Sequence, residues 1–539
     1  MRVDFDTQAT LVQAKSLAQW LHGVVPAGAQ LHSDSRQLKI GDAFFAYPGL
    51  TVDGRQFAQS AIDAGASAIV WDESPIDGQT EATLRQLPVP LQTVKQLKQT
   101  IGFIASAYLG SPSDQLDVIA FTGTSGKTSC TTWYAQLSQL LGRPCAVIGT
   151  RGAGLPNALE SFGLTTPEAI ALQGYFRKFA DAKIGGVAIE ASSIALSEGR
   201  LNGTTIQTAV FTNLSLDHLD YHGNMHSYGD AKAALFTWPS LSHVVINVDD
   251  PASDQMLAGV LGAVQKVLVS TAPITQTSAA IKRLFATNII FEGNRVTLTI
   301  DGDFGTCKTN LRIAGLFNVS NLLSVAACAL VRGYGLEEVV AGLEQLEPIE
   351  GRMQTVGGDQ LPLAVVDYAH KPDALEKVLA ALRVQANDRG GKLWCVFGCG
   401  GNRDTSKRPL MGAIAQKLAD HVLVTSDNPR NEDSSEIIQQ ILLGMVQKHL
   451  TNSAVVVIES DRKKAIAMAI EQASDADVVL IAGKGHEAYQ EISGVKYPFS
   501  DLQVVTEQLQ QRARTVNANL ATNLATNLAT NLATKGLWC

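Results

Sequence analysis

Gly123-Thr124-Ser125-Gly126-Lys127-Thr128, with Ser129 behind it, follows an apolar run and opens a helical stretch. The backbone N–H groups of such a loop point at phosphate oxygens. In this pattern Lys127 reaches the β- and γ-phosphates, and the Thr128 hydroxyl binds Mg²⁺. The loop is shorter than the general form, whose first glycine would fall on Phe121. Without its strand–turn–helix setting, the same stretch is a tight turn with a surface lysine. Glu190-Ala191-Ser192-Ser193 follows the apolar run Gly186–Ile189. The carboxyl end of a strand is where open α/β sheets bind ligands, so Glu190 is a candidate Mg²⁺ ligand as well as a candidate cap. Asp217-His218-Leu219-Asp220-Tyr221-His222 sets two His and two Asp within six residues. That clustering favours metal or phosphate chemistry, with no nearby Cys to argue for zinc. Lys232, read alone, is a solvated helix lysine.

Three more polar stretches close apolar runs in the last third of the chain. They are Gly398-Cys399-Gly400-Gly401-Asn402-Arg403-Asp404, Ser426-Asp427-Asn428-Pro429-Arg430 and Gly483-Lys484-Gly485-His486-Glu487. Strand ends of one open sheet face one crevice. Together they carry both signs of charge, which suits a zwitterionic small molecule.

The elements that must hold these residues follow a βαβα rhythm. That rhythm predicts an α/β protein with parallel, doubly wound sheets. A length of 539 residues corresponds to about three to four domains. The expected division is 1–90, a small α/β module; 91–347, a central P-loop-like parallel sheet; 348–513, a Rossmann-like α/β domain; and 514–539, a low-complexity tail. Residues 92–109 are expected as one helix, and 289–313 as an antiparallel patch. The tail is four copies of Asn-Leu-Ala-Thr followed by Lys-Gly-Leu-Trp-Cys. It is read as a frayed extension without a catalytic role, since Asn and Thr are poor helix formers.

Hydrophobic residues make up 45% of the chain and charged residues 17%, which excludes wholesale disorder. Lys plus Arg number 43 against 51 Asp plus Glu, for a net charge of -8. Such a chain is a poor general binder of nucleic acid or anionic membrane. No apolar run reaches the ~18–20 residues of a membrane span. The N-terminus lacks the basic and apolar regions of a secretory signal, so the expected address is the cytoplasm. Seven cysteines without a CxxC pair are expected as reduced thiols.

These stretches, with several others in order, resemble the Mur ligase family. Within it they resemble the members that add the third residue of the peptidoglycan stem peptide. The further matching stretches are Thr165-Thr166-Pro167, Thr212-Asn213-Leu214, Gly315 to Asn318 and Asn321, Gly351-Arg352-Met353 and Asp367-Tyr368-Ala369-His370. The resemblance implies an ATP- and Mg²⁺-dependent ligase, expected as a monomer. Its substrates would be UDP-N-acetylmuramoyl-dipeptide and, from the Asp-Asn-Pro-Arg stretch, meso-diaminopimelate. Ser35 would touch the uridine end, and Thr165, Thr166, Ser192 and Arg200 the muramoyl-dipeptide. Thr128, Glu190, His218 and Lys232 would hold the metal, Lys232 as an N-carboxylated lysine. Lys127, Lys232 and His218 would carry the catalysis. Asn318 belongs to the adenine side, and His370 and Asp367 to the ATP-facing side of the third domain. Arg403, Asp427, Asn428, Arg430, Gly483 and Glu487 would receive the amino acid. Ile194, Leu216 and Gln354 stand where the family often has His, Arg and Glu. The competing expectations are a lysine-adding or folylpolyglutamate-type ligase and a non-catalytic nucleotide-binding paralogue.

Overall fold

A computed structural model of the chain describes residues 7–514, except 50–51, 276–277, 279, 293–294, 359 and 446–453. The Asn-Leu-Ala-Thr tail and Cys539 lie outside the described residues.

The first sheet has four parallel strands in chain order: Leu31–His32, Ala43–Ala46, Ala68–Asp72 and Leu91–Val94. Residues 92–109 are therefore not one helix. Leu91–Val94 pairs with Ile69–Asp72, and the helix begins only at Leu97. The β-branched pair Thr93-Val94 favours the strand. Gln96, left-handed at φ 50, breaks the chain before the helix. The Asp72 carboxylate then caps the break by accepting from Leu97 N at 2.6 Å. Helix Leu97–Tyr108 packs on helix Thr7–Val24 against this sheet.

The central sheet has eleven strands. Its parallel part runs Ile281–Glu292, Gln265–Ser270, His243–Asn247, Thr208–Phe211, Asp117–Thr122, Gly186–Glu190 and Cys145–Gly149. Both edges turn antiparallel. On one side Arg295–Gly302 and Cys307–Leu311 continue from Ile281–Glu292, as the alternation of Val296, Leu298 and Ile300 predicts. On the other side Gly152–Leu155 and Ala158–Glu160 are added. These are too short and glycine-rich to show a period in the sequence. The helices Lys127–Leu140 and Leu316–Leu330 cover one face, and Ala169–Asp181 covers the other. Burial on both faces explains why the parallel strands read as unbroken apolar runs.

The third sheet runs Gln354–Gly357, Leu363–Asp367, Val478–Ala482, Leu393–Phe397, His421–Val424 and Val455–Ile458, antiparallel only at its first pair. A separate hairpin, Tyr489–Ile492 with Val495–Pro498, stands beside it. Packing joins the units: Phe317, at the start of a central-domain helix, lies against the third domain's core.

One buried ion pair ties two strand-end loops of the third sheet. Arg462 meets Asp501 through two 2.7 Å bonds, with both side chains 0% exposed. Its guanidinium also donates to Ser426 O and Ala482 O. Breaking a buried pair from one side costs about 3–5 kcal/mol. Arg462→Ala is expected to lower stability by that amount, read as a fall in the urea midpoint. A change below about 1 kcal/mol would show that the pair is not a structural tie.

Candidate active site

The loop between strand Asp117–Thr122 and helix Lys127–Leu140 is shaped by what lies beneath it. Gly123 sits at φ 149, and a Cβ there would fall 1.9 Å from Thr212 Oγ1. Thr212 Oγ1 and Asn213 Nδ2 donate to Ser125 O, and Asn213 accepts from Thr124 N and Ser125 N. The Thr212-Asn213 stretch is therefore a belt that holds the loop's backbone. Gly126, at φ 88, starts the helix without a side-chain cap. Its free N–H groups carry the partial positive charge of a helix start. Lys127 Nζ curls over its own loop, donating to Gly123 O at 2.7 Å and Thr124 O at 3.1 Å. Burial pushes its pKa down to about 8, helped by Lys371.

Glu190, at the end of its strand, lies next to this loop. Its Oε1 accepts from Thr128 Oγ1 and from Thr150 N, both at 2.9 Å. Gly149 makes the approach possible, since a Cβ there would stand 2.2 Å from Glu190 Oε1. Ser129 is buried in the helix behind. Thr165 accepts from Thr150 Oγ1, while Thr166 Oγ1 donates to Glu190 O at 2.6 Å and lies 3.2 Å from Ser192 Oγ. Arg200 Nη1 donates to Thr166 O and pairs with Glu198 and Glu168. Arg200 also lines a small cavity with Ser33 and Tyr47 of the first domain. Ser35 opens the short turn after Leu31–His32, capped by Asp34. Of the residues expected for the dipeptide, Thr165, Thr166 and Ser192 lie beside Thr150 and Glu190, and Arg200 reaches the seam with the first domain at Ser33 and Tyr47, whereas Ser35 is not among that cavity's lining.

Lys232 is 1% exposed, not solvated. Its Nζ donates to Gly123 O at 2.9 Å and lies 4.4 Å from the Tyr228 ring centroid. Burial, then Lys127 and Lys371, drive its pKa well below the usual lysine value, toward a neutral amine. His218, left-handed at φ 52, sets Nε2 3.0 Å from Asp217 Oδ2. Burial pushes the His218 pKa down to about 4 despite that carboxylate. Lys371 of the third domain lies 2.5 Å from the same Asp217 oxygen. Burial opposes ionisation of Asp217, but Lys371 and His218 outweigh it and hold the carboxyl well below its usual range. Among the described residues, no group of three His, Cys, Asp or Glu side chains is close enough to hold a metal.

A cavity of about 610 Å³ opens between the central and third domains. Asn213, Gly315, Phe317, Asn321, Asp373 and Lys377 are among its lining. Asn318 is buried behind Asn321, which donates to it at 3.3 Å. His370 Nδ1 donates to Tyr368 O at 2.7 Å, and burial with Lys371 and Lys407 drives its pKa well down. Asp367 accepts from Met353 N, and burial raises its pKa. Gln354 Oε1 accepts from Gly351 N, so the amide oxygen serves where a carboxylate was expected.

One crevice brings the three strand-end stretches of the third sheet together. Gly483 lets Asp427 approach, because a Cβ would stand 2.4 Å from Asp427 Oδ2. Asn428 is committed to protein partners at both ends of its amide. Its Oδ1 accepts from Lys484 Nζ and Glu491 N, and its Nδ2 donates to Glu487 Oε2 at 2.7 Å. Arg430, left-handed at φ 52, donates through Nη1 to Gly401 O at 2.8 Å. Arg403 is exposed in the neighbouring loop, and a Cβ at Gly400 would lie between it and Arg430. Two arginines thus flank one stretch of glycine backbone.

The structure adds residues to which the sequence reading gave no role. Lys484 is 0% exposed and bonds Asn428 and Glu487. Its signal was its place between two glycines at a strand end. Arg352 donates to Thr128 Oγ1 at 3.3 Å and lies 4.6 Å from the Tyr368 ring. Tyr368 stacks obliquely with His486, 5.4 Å away, directly before Glu487. The buried Arg352 Nε and His486 Nδ1 have no hydrogen-bond partner among the described residues. Thr150 had no recognisable sequence signal.

Gly123→Ala tests the loop. Forcing a side chain into this backbone costs about 1–3 kcal/mol, or roughly 5- to 150-fold in affinity. Adenine-nucleotide binding, measured by calorimetry, is expected to weaken by that factor. Unchanged affinity would detach the loop from nucleotide binding.

Comparison with known proteins agrees with this geometry. Family models match residues 29–108 (Mur ligase family, catalytic domain), 121–329 (Mur ligase middle domain) and 351–485 (Mur ligase, glutamate ligase domain). A UDP-N-acetylmuramoyl-L-alanyl-D-glutamate--2,6-diaminopimelate ligase from Ralstonia nicotianae is 45% identical over 509 residues, covering 93% of this chain and 96% of that protein. The protein of the same name from Neisseria meningitidis serogroup B is 43% identical over 486 residues, covering 90% and 96%. A solved structure of a ligase of that name is 33% identical, with a TM-score of 0.64 over 92% of this chain and 99% of its own. MurF ligase from Thermotoga maritima, solved in complex with ADP, shares the fold at 16% identity, with a TM-score of 0.58 over 90% and 98%. The three matches fall in order on the three sheets that carry the phosphate loop, the seam and the crevice, and the chain belongs to the Mur ligase family.

Proposed function

We propose that this chain is an ATP-dependent ligase acting in cytoplasmic peptidoglycan precursor synthesis. It joins meso-2,6-diaminopimelate to the γ-carboxylate of UDP-N-acetylmuramoyl-L-alanyl-D-glutamate. The observation that carries this reading is a continuous path from the phosphate loop to the charged crevice. Arg352 bonds Thr128 at one end and covers Tyr368, and Tyr368 meets His486 beside Glu487. The unpartnered nitrogens of Arg352 and His486 along this path are what a substrate-lined passage leaves behind.

The chemistry follows from the weakness of a carboxylate as an electrophile. The γ-phosphoryl group of ATP passes to a glutamyl carboxylate oxygen. The β–γ P–O bond breaks and ADP departs with its electron pair. The incoming amine then attacks the acyl carbon, loses a proton, and phosphate leaves. Phosphoryl transfer needs positioning and charge neutralisation above all. Lys127 and the uncapped start of its helix supply both. Closing the third domain over the seam keeps water from the acyl phosphate.

Thr128 and Glu190 offer adjacent hard oxygen donors, which suits Mg²⁺. His218 and an N-carboxylated Lys232 would complete the set, and the ion would neutralise phosphate charge. The unprotonated amine is the form that adds CO₂, and burial shifts Lys232 toward it: the nitrogen lone pair makes the N–C bond, and the proton goes to water. The resulting carbamate is an anion where the bare amine offers none. The crevice would receive the zwitterionic ends of the amino acid, with Arg430 and Arg403 toward a carboxylate and Asp427 and Glu487 toward ammonium.

The direct test is phosphate release from ATP with the UDP-muramoyl-dipeptide, with and without diaminopimelate. Release that requires both substrates is expected; release indifferent to diaminopimelate overturns the reading. Lys232→Ala is expected to lose turnover and to regain part of it with a small added carboxylate such as formate. No rescue across a concentration series would count against the carbamate. Losing one partner of a buried charged pair costs about 2–5 kcal/mol, or roughly 30-fold to a few thousand-fold. Arg430→Ala should lose that much in kcat/KM for diaminopimelate with ATP affinity unchanged. Retained preference for diaminopimelate over lysine would remove Arg430 as the selector.

A further inference from the structure

Lys371 plays no part in the mechanism above, yet its ammonium enters the phosphate loop from another domain. It directly precedes Pro372, where the 17-residue helix Pro372–Asp388 begins. Its side chain is 13% exposed, and its Nζ donates to Thr124 O at 3.4 Å. That carbonyl also accepts from Lys127 Nζ at 3.1 Å. Two ammonium groups from two domains therefore share one backbone oxygen. Like charges at such separation repel unless an anion joins them. Asp217, 2.5 Å from Lys371, supplies one negative charge. Glu190 is already engaged by Thr128 and Thr150, and Arg352 adds a third cation at Thr128. Both helix starts, at Lys127 and at Pro372, lack side-chain caps and add partial positive charge. Lys127, Lys371 and Arg352 face only the carboxylates of Asp217 and Glu190 here, which leaves an excess of positive charge for an anion to meet.

We propose that Lys371 is a catalytic residue of the phosphoryl-transfer step, a cation brought by the third domain to the oxygens of the γ-phosphoryl group. This rests on the ligase reading given above. Lys371 leaves Asp217 and donates N–H bonds to the equatorial oxygens as the β–γ P–O bond breaks and the bond to the glutamyl carboxylate oxygen forms. The leaving electron pair stays on ADP, and no proton moves. Preorganised donors aimed at developing charge are the main source of rate in such steps. Because Lys371 is carried by the domain that also carries the amino-acid crevice, the acyl phosphate forms only once that crevice is docked beside it.

The rival role is a plain interdomain tie, with Lys371 serving only to hold Asp217. Positional isotope exchange separates the two. ATP labelled with ¹⁸O in the β–γ bridge is incubated with enzyme, Mg²⁺ and UDP-muramoyl-dipeptide, without diaminopimelate. Scrambling of the label reports phosphoryl transfer itself. Lys371→Met is expected to slow scrambling by roughly 100-fold or more, the usual loss for one positioned donor, while ATP binding stays within about threefold. Lys371→Arg, which keeps the charge and the domain contact, should recover a substantial part. Scrambling at the wild-type rate in Lys371→Met overturns the inference. So does a defect confined to the KM for diaminopimelate and shared by Asp217→Asn, because that is the behaviour of a tie. A wild-type enzyme that releases no phosphate from ATP with both substrates would instead overturn the ligase reading and this inference with it.

Discussion

Positive charge crowded onto two backbone carbonyls is the constraint around which the rest of the structure is arranged. Gly123 O accepts from Lys127 and Lys232, and Thr124 O from Lys127 and Lys371. Carbonyl dipoles can steady such cations, but they cannot neutralise them. The surroundings answer in three ways. Burial and the neighbouring cations lower the pKa of Lys232 well below the usual lysine value and that of Lys127 to about 8. Asp217 is kept ionised against the cost of its own burial. The Thr212-Asn213 belt fixes the loop so that its carbonyls cannot turn away. What remains is a pocket whose electrostatics are completed by a polyanion.

Much of this was legible in the sequence where chemistry and backbone geometry coincide. The phosphate loop, Glu190 and the three strand-end stretches are polar residues placed directly after apolar runs, and the parallel-sheet rule puts them on one side. The antiparallel patch expected over 289–313 announced itself by alternation. Less legible was whatever depends on packing across domains. Lys232 reads as a solvated helix residue until the Tyr228 ring and the loop close over it. Lys371 carries no local mark, since its partners lie 154 and 247 positions earlier in the chain. The break at Gln96 was hidden for a different reason: Leu91, Val94, Leu97 and Ile101 recur at helical spacing across it, and only pairing with Ala68–Asp72 decides the first residues.

The crevice illustrates how a polar site is made specific by using up its own groups. Asn428 was expected to receive the amino acid. Instead Lys484 and Glu491 take its oxygen and Glu487 takes its nitrogen. The amide is a spacer that fixes where Glu487 stands, and the buried Lys484 ammonium neutralises part of that carboxylate's charge. Specificity then rests on fewer groups than the composition suggests, each held in a determined place.

The hairpin Tyr489–Ile492 carries a consequence for how such a protein changes over generations. Arg430 N donates to Glu491 O, Ser493 N donates to Arg430 O, and Gln490 donates to Asp427 O. The loop bearing Arg430, the proposed selector, is thus half of a small interface whose other half is encoded 63 residues away. A substitution in either segment alters the frame in which the other is judged. Inherited shifts in amino-acid preference should therefore arrive as paired changes in the two segments, and a graft of the Asp-Asn-Pro-Arg stretch alone into a relative would carry the letters of the preference without its grammar.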